Sequence, residues 1–376
     1  MEIARRVFND ISFWTVVLVI LFHFFEYLIE GLQTGILSYD TFGYYLYLPQ
    51  AFIADDIAIS NLDYLNSVAI YKPSEVYYQI HALDNGNHVI QYSMGMAIVF
   101  LPFFLVGHLF ASTGGYPMDG MSLPYVYAII AGAYFYLVLG LVIFRKMLLL
   151  LFSKELTAVL LILIYLGTNF WSITTLSLGM PHLYLFALYA LFLYGTIKWH
   201  KKPSVKYSLL IGFVFGLMIL IRPVEIIACV IPILWGCKHF SDVKHKWIKI
   251  WYDRRKLLIA VLIPILFLGS LQMTYWKIVT GSFFFNSYMN NGEGFDFLQP
   301  HIIEFLFSFR KGWLIYTPLA ILFLLGLFYM RPKERNKYFF PLFTFTVLYL
   351  YIIASWSNWW YGTSFSQRPV TQAYPV

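Results

Sequence analysis

The chain is expected to be an all-α integral membrane protein, with about nine transmembrane helices and one further helix lying on the membrane in a long first external loop. Three observations predict this. Of 376 residues, 60% are hydrophobic, 20% aromatic and only 12% charged, and mean hydropathy is +0.68. Its 36 Phe, 30 Tyr and 11 Trp are more than one soluble core of this size can hide. The apolar residues also come in runs near the roughly 20 needed to cross a bilayer, at 11–31, 124–144, 156–173, 181–197, 207–221, 223–237, 257–277, 313–330 and 338–355. A soluble enzyme, a disordered chain and a disulfide scaffold are excluded by this composition. The +7 charge reports membrane orientation rather than nucleic acid.

Each element follows from its flanks. The first run follows Arg5 and Arg6, lacks a small-residue cleavage site and ends at Glu26 and Glu30, which marks an uncleaved helix rather than a leader. Twenty of the 26 Lys and Arg then fall on one side. They sit at the N-terminus and in the loops around 145–154, 198–206, 238–256 and 331–337, leaving only Lys72, Arg222, Lys277, Arg310, Lys311 and Arg368 elsewhere. The positive-inside rule makes that side cytoplasmic.

The segment 95–111 is apolar and nearly long enough to cross, with Pro102 in its middle. Crossing would export every later basic loop, so the segment reads as an interfacial or re-entrant helix. The stretch 207–237 has basic loops at both ends, so it goes out and returns with its turn at Arg222 and Pro223. Cys229 and Cys237 lie within one run and cannot pair there. No Asn-x-Ser/Thr sequon occurs, which fits a bacterial plasma membrane. The chain reads as a single domain over 1–376; it stops in an external loop, as expected for part of a longer protein.

External polar sequence supplies the candidate chemistry. Asp40 follows the first span among Tyr39, Tyr44 and Tyr45, where a partly desolvated carboxylate is suited to take a proton from a hydroxyl. A helix cap within an aromatic belt explains it equally well. Arg222, at the turn between two short spans, needs an anion or a partner, because arginine in hydrocarbon costs about 2.5–3.5 kcal/mol; Glu225 is the structural partner on offer. Arg310 and Lys311 violate the charge bias on the outer face and, with Lys72 and Arg368, are candidate phosphate ligands or lipid-headgroup anchors. His182 begins a span and is placed to line a cavity. The external histidines and acids form no metal-binding spacing, so no metal residue is assigned and a divalent cation is left open as cofactor. Trp356, Trp359, Trp360 and Tyr361 suit a sugar-stacking surface or an aromatic girdle.

This layout resembles the GT-C superfamily of polytopic glycosyltransferases, which includes dolichyl-phosphate-mannose protein mannosyltransferases and bacterial lipid A aminoarabinose transferases. The matching features are Asp40 after the first span, the long first loop with its membrane-lying helix, Arg222-Pro223 at a helix turn, and the stretches FSFRKGWLIYTP and WWYGTSFSQRP. The resemblance implies a polyprenyl-phosphate-linked sugar as donor, a glycan, lipid or protein acceptor, and transfer at the outer face of the membrane with inversion. It makes Asp40 the base, with Tyr44, Tyr45, Lys72, His182, Arg222, Arg310, Lys311 and Arg368 as substrate ligands. Two departures stand: many relatives carry an acidic pair where Asp40 is followed by Thr41, and WWYG lacks the aspartate of the oligosaccharyltransferase WWDYG. The competing functions are a transporter, which would place ionisable groups near the midplane, a non-catalytic lipid-binding scaffold, and an O-antigen ligase or polymerase.

Overall fold

A computed structural model describes residues 10–30, 35–288 and 292–376, apart from the side chains of Glu30 and Lys333. Arg5 and Arg6 lie outside the described residues. The fold is helical, with a single two-stranded hairpin among the described residues.

Helix α1 (Ile11–Glu30) starts at Asp10, whose carboxylate accepts the Ser12 N–H at 3.1 Å and satisfies one orphan donor of the first turn. The long first loop holds α2 (Tyr39–Tyr45), α3 (Tyr47–Phe52), α4 (Asp63–Val68), the strands β1 (Ile80–Ala82) and β2 (His88–Ile90), and α5 (Gly95–Gly114). Next come α6 (Leu123–Leu148), α7 (Lys154–Leu166), α8 (Phe170–Leu176), α9 (Pro181–Lys201) and α10 (Val205–Ile221). A 3₁₀ turn at Pro223–Cys229 leads to α11 (Val230–Leu234), followed by α12 (Phe240–Thr280). The remainder comprises α13 (Ile302–Phe307), α14 (Trp313–Tyr316), α15 (Ala320–Phe328) and α16 (Pro332–Ala354), with a last 3₁₀ turn at Arg368–Ala373.

Five described helices are long and apolar enough to cross a membrane: α1, α5, α6, α12 and α16. The α7–α8 pair, bent by 57°, makes a sixth if it counts as one span. The expected nine are therefore not nine long apolar helices, and the reasons are local. The run 156–173 breaks at Gly167–Asn169. The run 313–330 breaks at Thr317–Leu319, where Pro318 has no N–H to donate. The run 223–237 contains only a 3₁₀ turn and five α-helical residues. Helix α9 carries tyrosines and histidines because it is buried along nearly its whole length; protein rather than lipid surrounds it, so its composition need not be apolar.

The helices run between two poles. At the basic pole, Arg145 near the end of α6 meets Asp10 at 2.7 Å, with Lys154 at 3.7 Å. His200 of α9 packs on Trp235, which packs on Tyr338 of α16. Lys246 of α12 donates to the carbonyls of Pro232, Ile233 and Trp235 at 2.8–3.1 Å, capping the short returning helix. Helix α12 is kinked at Arg254 (φ −145°, ψ 28°), which separates a basic first part from an apolar second part.

At the opposite pole α5 begins with Gly95 against the Ile221 backbone, where a Cβ would come within 2.3 Å of the amide nitrogen. Only glycine permits that approach. Toward its other end Gly107 abuts Pro124 and Tyr125 at the start of α6. Between these two points Phe103 packs against Gly132, Phe135 and Tyr136, so α5 runs along the first part of α6, and by length and composition it is itself one of the helices able to cross a membrane. Gly212 of α10 admits the Val261 carbonyl equally closely and locks α10 parallel to α12.

The Asp10 cluster yields a stability prediction. Burial alone would raise the Asp10 pKa, but the Ser12 hydroxyl, Arg145 and Lys154 hold it below the ordinary carboxylate value. A depressed folded-state pKa contributes stability that is present above the unfolded value and is lost as pH falls through the folded one. Asp10→Asn is expected to cost about 3 kcal/mol at neutral pH by leaving Arg145 unpaired. The gap to wild type should close below about pH 4, as read by thermal unfolding at a series of pH values.

Candidate functional site

The first-loop hairpin builds one wall of the site. In the antiparallel register Ile80 faces Ile90, so Tyr78, two residues before Ile80, and Tyr92, two after Ile90, emerge side by side. Asn85 and Asn87 of the connecting turn donate to the Val279 carbonyl, and the Tyr275 hydroxyl accepts the Ile90 N–H, which pins the hairpin to the end of α12. The Tyr78 and Tyr92 hydroxyls then donate to one oxygen of Asp40, Oδ1, at 2.7 and 2.8 Å. Burial, reinforced by the charge of Asp40, raises the pKa of both phenols and keeps them protonated donors.

Asp40 is aimed by a strained backbone. Tyr39 before it is left-handed (φ 50°), held by its N–H to the Pro73 carbonyl at 2.7 Å and by Gln79 Nε2 on its own carbonyl at 3.0 Å. A bulky residue at positive φ costs of order 1–3 kcal/mol and persists only where its surroundings impose it. Oδ2 is left facing the cavity, with Arg368 Nη2 at 3.5 Å in a loose, partly exposed ion pair. Arg368 comes from the tail after α16, which folds back over the site through two more left-handed residues, Tyr361 (φ 50°) and Ser366 (φ 54°).

The tail is anchored by Gln372, which is fully buried. Its Nε2 donates to Glu225 Oε1 and, at 2.8 Å, to the Tyr349 hydroxyl. Its Oε1 faces Arg222 Nη1 at 3.3 Å and His182 Nδ1 at 2.7 Å. Because the amide nitrogen points at a carboxylate, Oε1 must be the acceptor; His182 therefore carries its proton on Nδ1, and Nε2 remains as its acceptor. Tyr189 donates to Glu225 Oε2 at 2.5 Å. The arginine at the helix turn hydrogen-bonds Gln372 and keeps Glu225, itself hydrogen-bonded by Tyr189 and Gln372, as its opposite charge.

These groups surround one cavity of about 660 Å³. Asp40, Tyr44, His182, Arg222 and Arg368 all line it, and Glu293, Tyr288 and Trp356 contribute to its other walls. Tyr44 packs on Tyr92 with ring centroids 4.3 Å apart and the rings tilted by 33°. The remaining candidates lie elsewhere. Tyr45 is fully buried and turns its hydroxyl to the Gly120 carbonyl at 2.6 Å, because alternate faces of α2 cannot both meet the cavity. Lys72 is exposed in a left-handed turn (φ 49°) that supports Tyr39 through Pro73. Arg310 lies over the Trp360 ring, 4.0 Å from its centroid. Lys311 is outside the lining too, yet close enough to the cavity that burial, Arg368 and Arg310 lower its pKa. Among the described residues no group of three or more His, Cys, Asp or Glu is gathered as a metal site.

Sequence reasoning passed over Tyr78, Tyr92, Glu293 and Gln372. The first two carry a signal in retrospect, since they flank a short hairpin at matching distances. Comparison with known proteins adds nothing to this geometry: no family model, no curated protein and no solved structure matches the chain.

Proposed function

We propose that the chain is a polytopic membrane glycosyltransferase of GT-C type that transfers a sugar from a polyprenyl-phosphate donor to an acceptor hydroxyl. The observation that carries this reading is the meeting, in one cavity, of a carboxylate with an open oxygen and two arginines delivered by different parts of the chain. The cavity lies at the pole remote from the basic loops, which on the positive-inside rule is the outer face. In this reading the chain sits in the bacterial plasma membrane with its N-terminus in the cytoplasm. The crossings are supplied by α1, α6, α12 and α16, the bent α7–α8 pair, α9, the short α10–α11 excursion and the broken α14–α15 run, while α5, though long enough to cross, is assigned to the outer leaflet because its crossing would export the later basic loops.

The donor phosphate is taken by Arg222 and Arg368, whose guanidiniums suit bidentate contact with phosphate oxygens. Asp40 Oδ2 accepts the proton of the acceptor hydroxyl while its oxygen attacks the anomeric carbon. The new C–O bond forms as the bond from that carbon to the phosphate oxygen breaks on the opposite face. The electron pair leaves on polyprenyl phosphate, where the arginines balance the developing charge. One displacement inverts the configuration, and no second carboxylate is required as it would be to activate water. Tyr78 and Tyr92 hold Oδ1, so the proton has one destination. Aromatic walls at Tyr44, Tyr288 and Trp356 offer faces for a sugar ring.

The test is release of polyprenyl phosphate by the purified protein in lipid nanodiscs, challenged with a panel of polyprenyl-phosphate-linked sugars and mixed acceptors. Release from at least one donor is expected. No release from any donor, with the protein folded, overturns the reading in favour of a transporter or a scaffold.

A further inference from the structure

At the basic pole, far from the cavity just described, a groove of about 640 Å³ opens between the start of α12 and the outward face of α16. Its lining is ordered along the α16 axis. Arg335 stands at the basic end, followed at four-residue steps by Phe339, Phe343 and Val347, which fall on one helical face. Lys238 and His239, before the first turn of α12, close the basic end from the other side. Arg335 lies over the Phe339 ring at 5.2 Å, which fixes the guanidinium at the mouth. The nearby Asp242 carboxylate is engaged by the backbone N–H groups of Lys238 and His239 at 2.8 and 3.1 Å and caps α12. Phe343 and Val347 are exposed, so the groove is open along its side.

We infer that this groove binds an anionic glycerophospholipid of the cytoplasmic leaflet, its phosphate headgroup between Arg335 and Lys238 and an acyl chain along Phe339, Phe343 and Val347. The inference rests on the proposed membrane orientation. The order of the lining selects this occupant: cations occur only at one end, and the apolar stripe below Arg335 runs about 18 Å, roughly one leaflet of hydrocarbon. A free phosphate would use the cations and leave the stripe bare, and an acidic peptide would need cations spaced along the groove. Phospholipid matches both halves, with electrostatic attraction at the headgroup and burial along the chain.

The purified full-length protein, exchanged into an equimolar mixture of phosphatidylglycerol and phosphatidylcholine, is examined by native mass spectrometry for retained lipid. Wild type is expected to retain phosphatidylglycerol preferentially, and K238Q/R335Q to lower that preference roughly 10- to 30-fold. A control on the same face, K201Q/K202Q, is expected to leave it unchanged. Val347→Trp, which fills the groove and keeps every charge, is expected to abolish the preference as well. Equal retention of both lipids by wild type, or equal loss in the control, overturns the proposal. So does a preference that survives Val347→Trp, or one that inorganic phosphate alone displaces. Asp40→Asn is expected to keep the lipid preference, so failure of the transferase reading and failure of this one are told apart.

Discussion

Asp40→Asn is expected to lower the rate of polyprenyl-phosphate release by at least about 100-fold, the range for loss of a general base, with little change in donor affinity. The substitution keeps the size of the side chain and leaves an amide oxygen to accept from Tyr78 and Tyr92, which hold Oδ1 at 2.7 and 2.8 Å. Folding is therefore expected to persist, with thermal unfolding close to wild type. What disappears is the capacity of the second oxygen to take a proton. The loose Arg368 contact at 3.5 Å is also weakened, so Arg368→Gln is the comparison: it keeps the Asp40 base and should weaken binding of polyprenyl phosphate, which Asp40→Asn should not. A rate unchanged in Asp40→Asn removes Asp40 from the chemistry and leaves it as an anchor for the hairpin tyrosines.

Arg222→Gln is expected to lower kcat/KM about 100- to 1,000-fold, as for removal of one preorganised donor from a site of developing charge. It should also weaken binding of polyprenyl phosphate itself, since that product carries the charge the arginine meets. A structural role predicts something different. Arg222 reaches Gln372 at only 3.3 Å, while Glu225, its opposite charge, also accepts from Tyr189 and Gln372. Loss of Arg222 also strips the buried Glu225 of its opposite charge, so Arg222→Gln/Glu225→Gln, which removes both charges, is the companion variant: it should restore the unfolding temperature without restoring phosphate binding. Collapse of stability without a specific loss of phosphate binding would assign Arg222 to the scaffold.

Much of the fold is legible in the sequence because its signals are local. The apolar runs behind α1, α6 and α16 are long, and their ends carry basic residues or Ser and Asp at the helix start. The break at Pro318 and the bend after Leu166 are less visible, because an apolar composition continues across both. The run 181–197 does form a long helix, α9, but its enclosure is not written in the sequence: Tyr184 and Tyr189 are interior side chains of a helix buried along nearly its whole length.

The site divides the same way. Asp40 and Arg222 stand out from the sequence because each is a charge where charge is costly. Their assembly with Arg368 depends on contacts that span half of the chain, such as His182 with Gln372 and Asn169 with the Gln367 carbonyl. Such pairings leave no periodicity along the chain. Tyr45 shows the converse error, since adjacency to Tyr44 suggested a shared role that helical geometry forbids.

The proposed chemistry is a single displacement on a lipid-phosphate sugar, and its signature is the stereochemistry of the product. Wild-type protein would be given one anomerically pure polyprenyl-phosphate sugar and an acceptor, and the glycoside examined by NMR alongside the polyprenyl phosphate released. One glycoside per polyprenyl phosphate is expected, with the anomeric configuration inverted. A product with retained configuration, or release of polyprenyl phosphate with free sugar as the sole product, would contradict it.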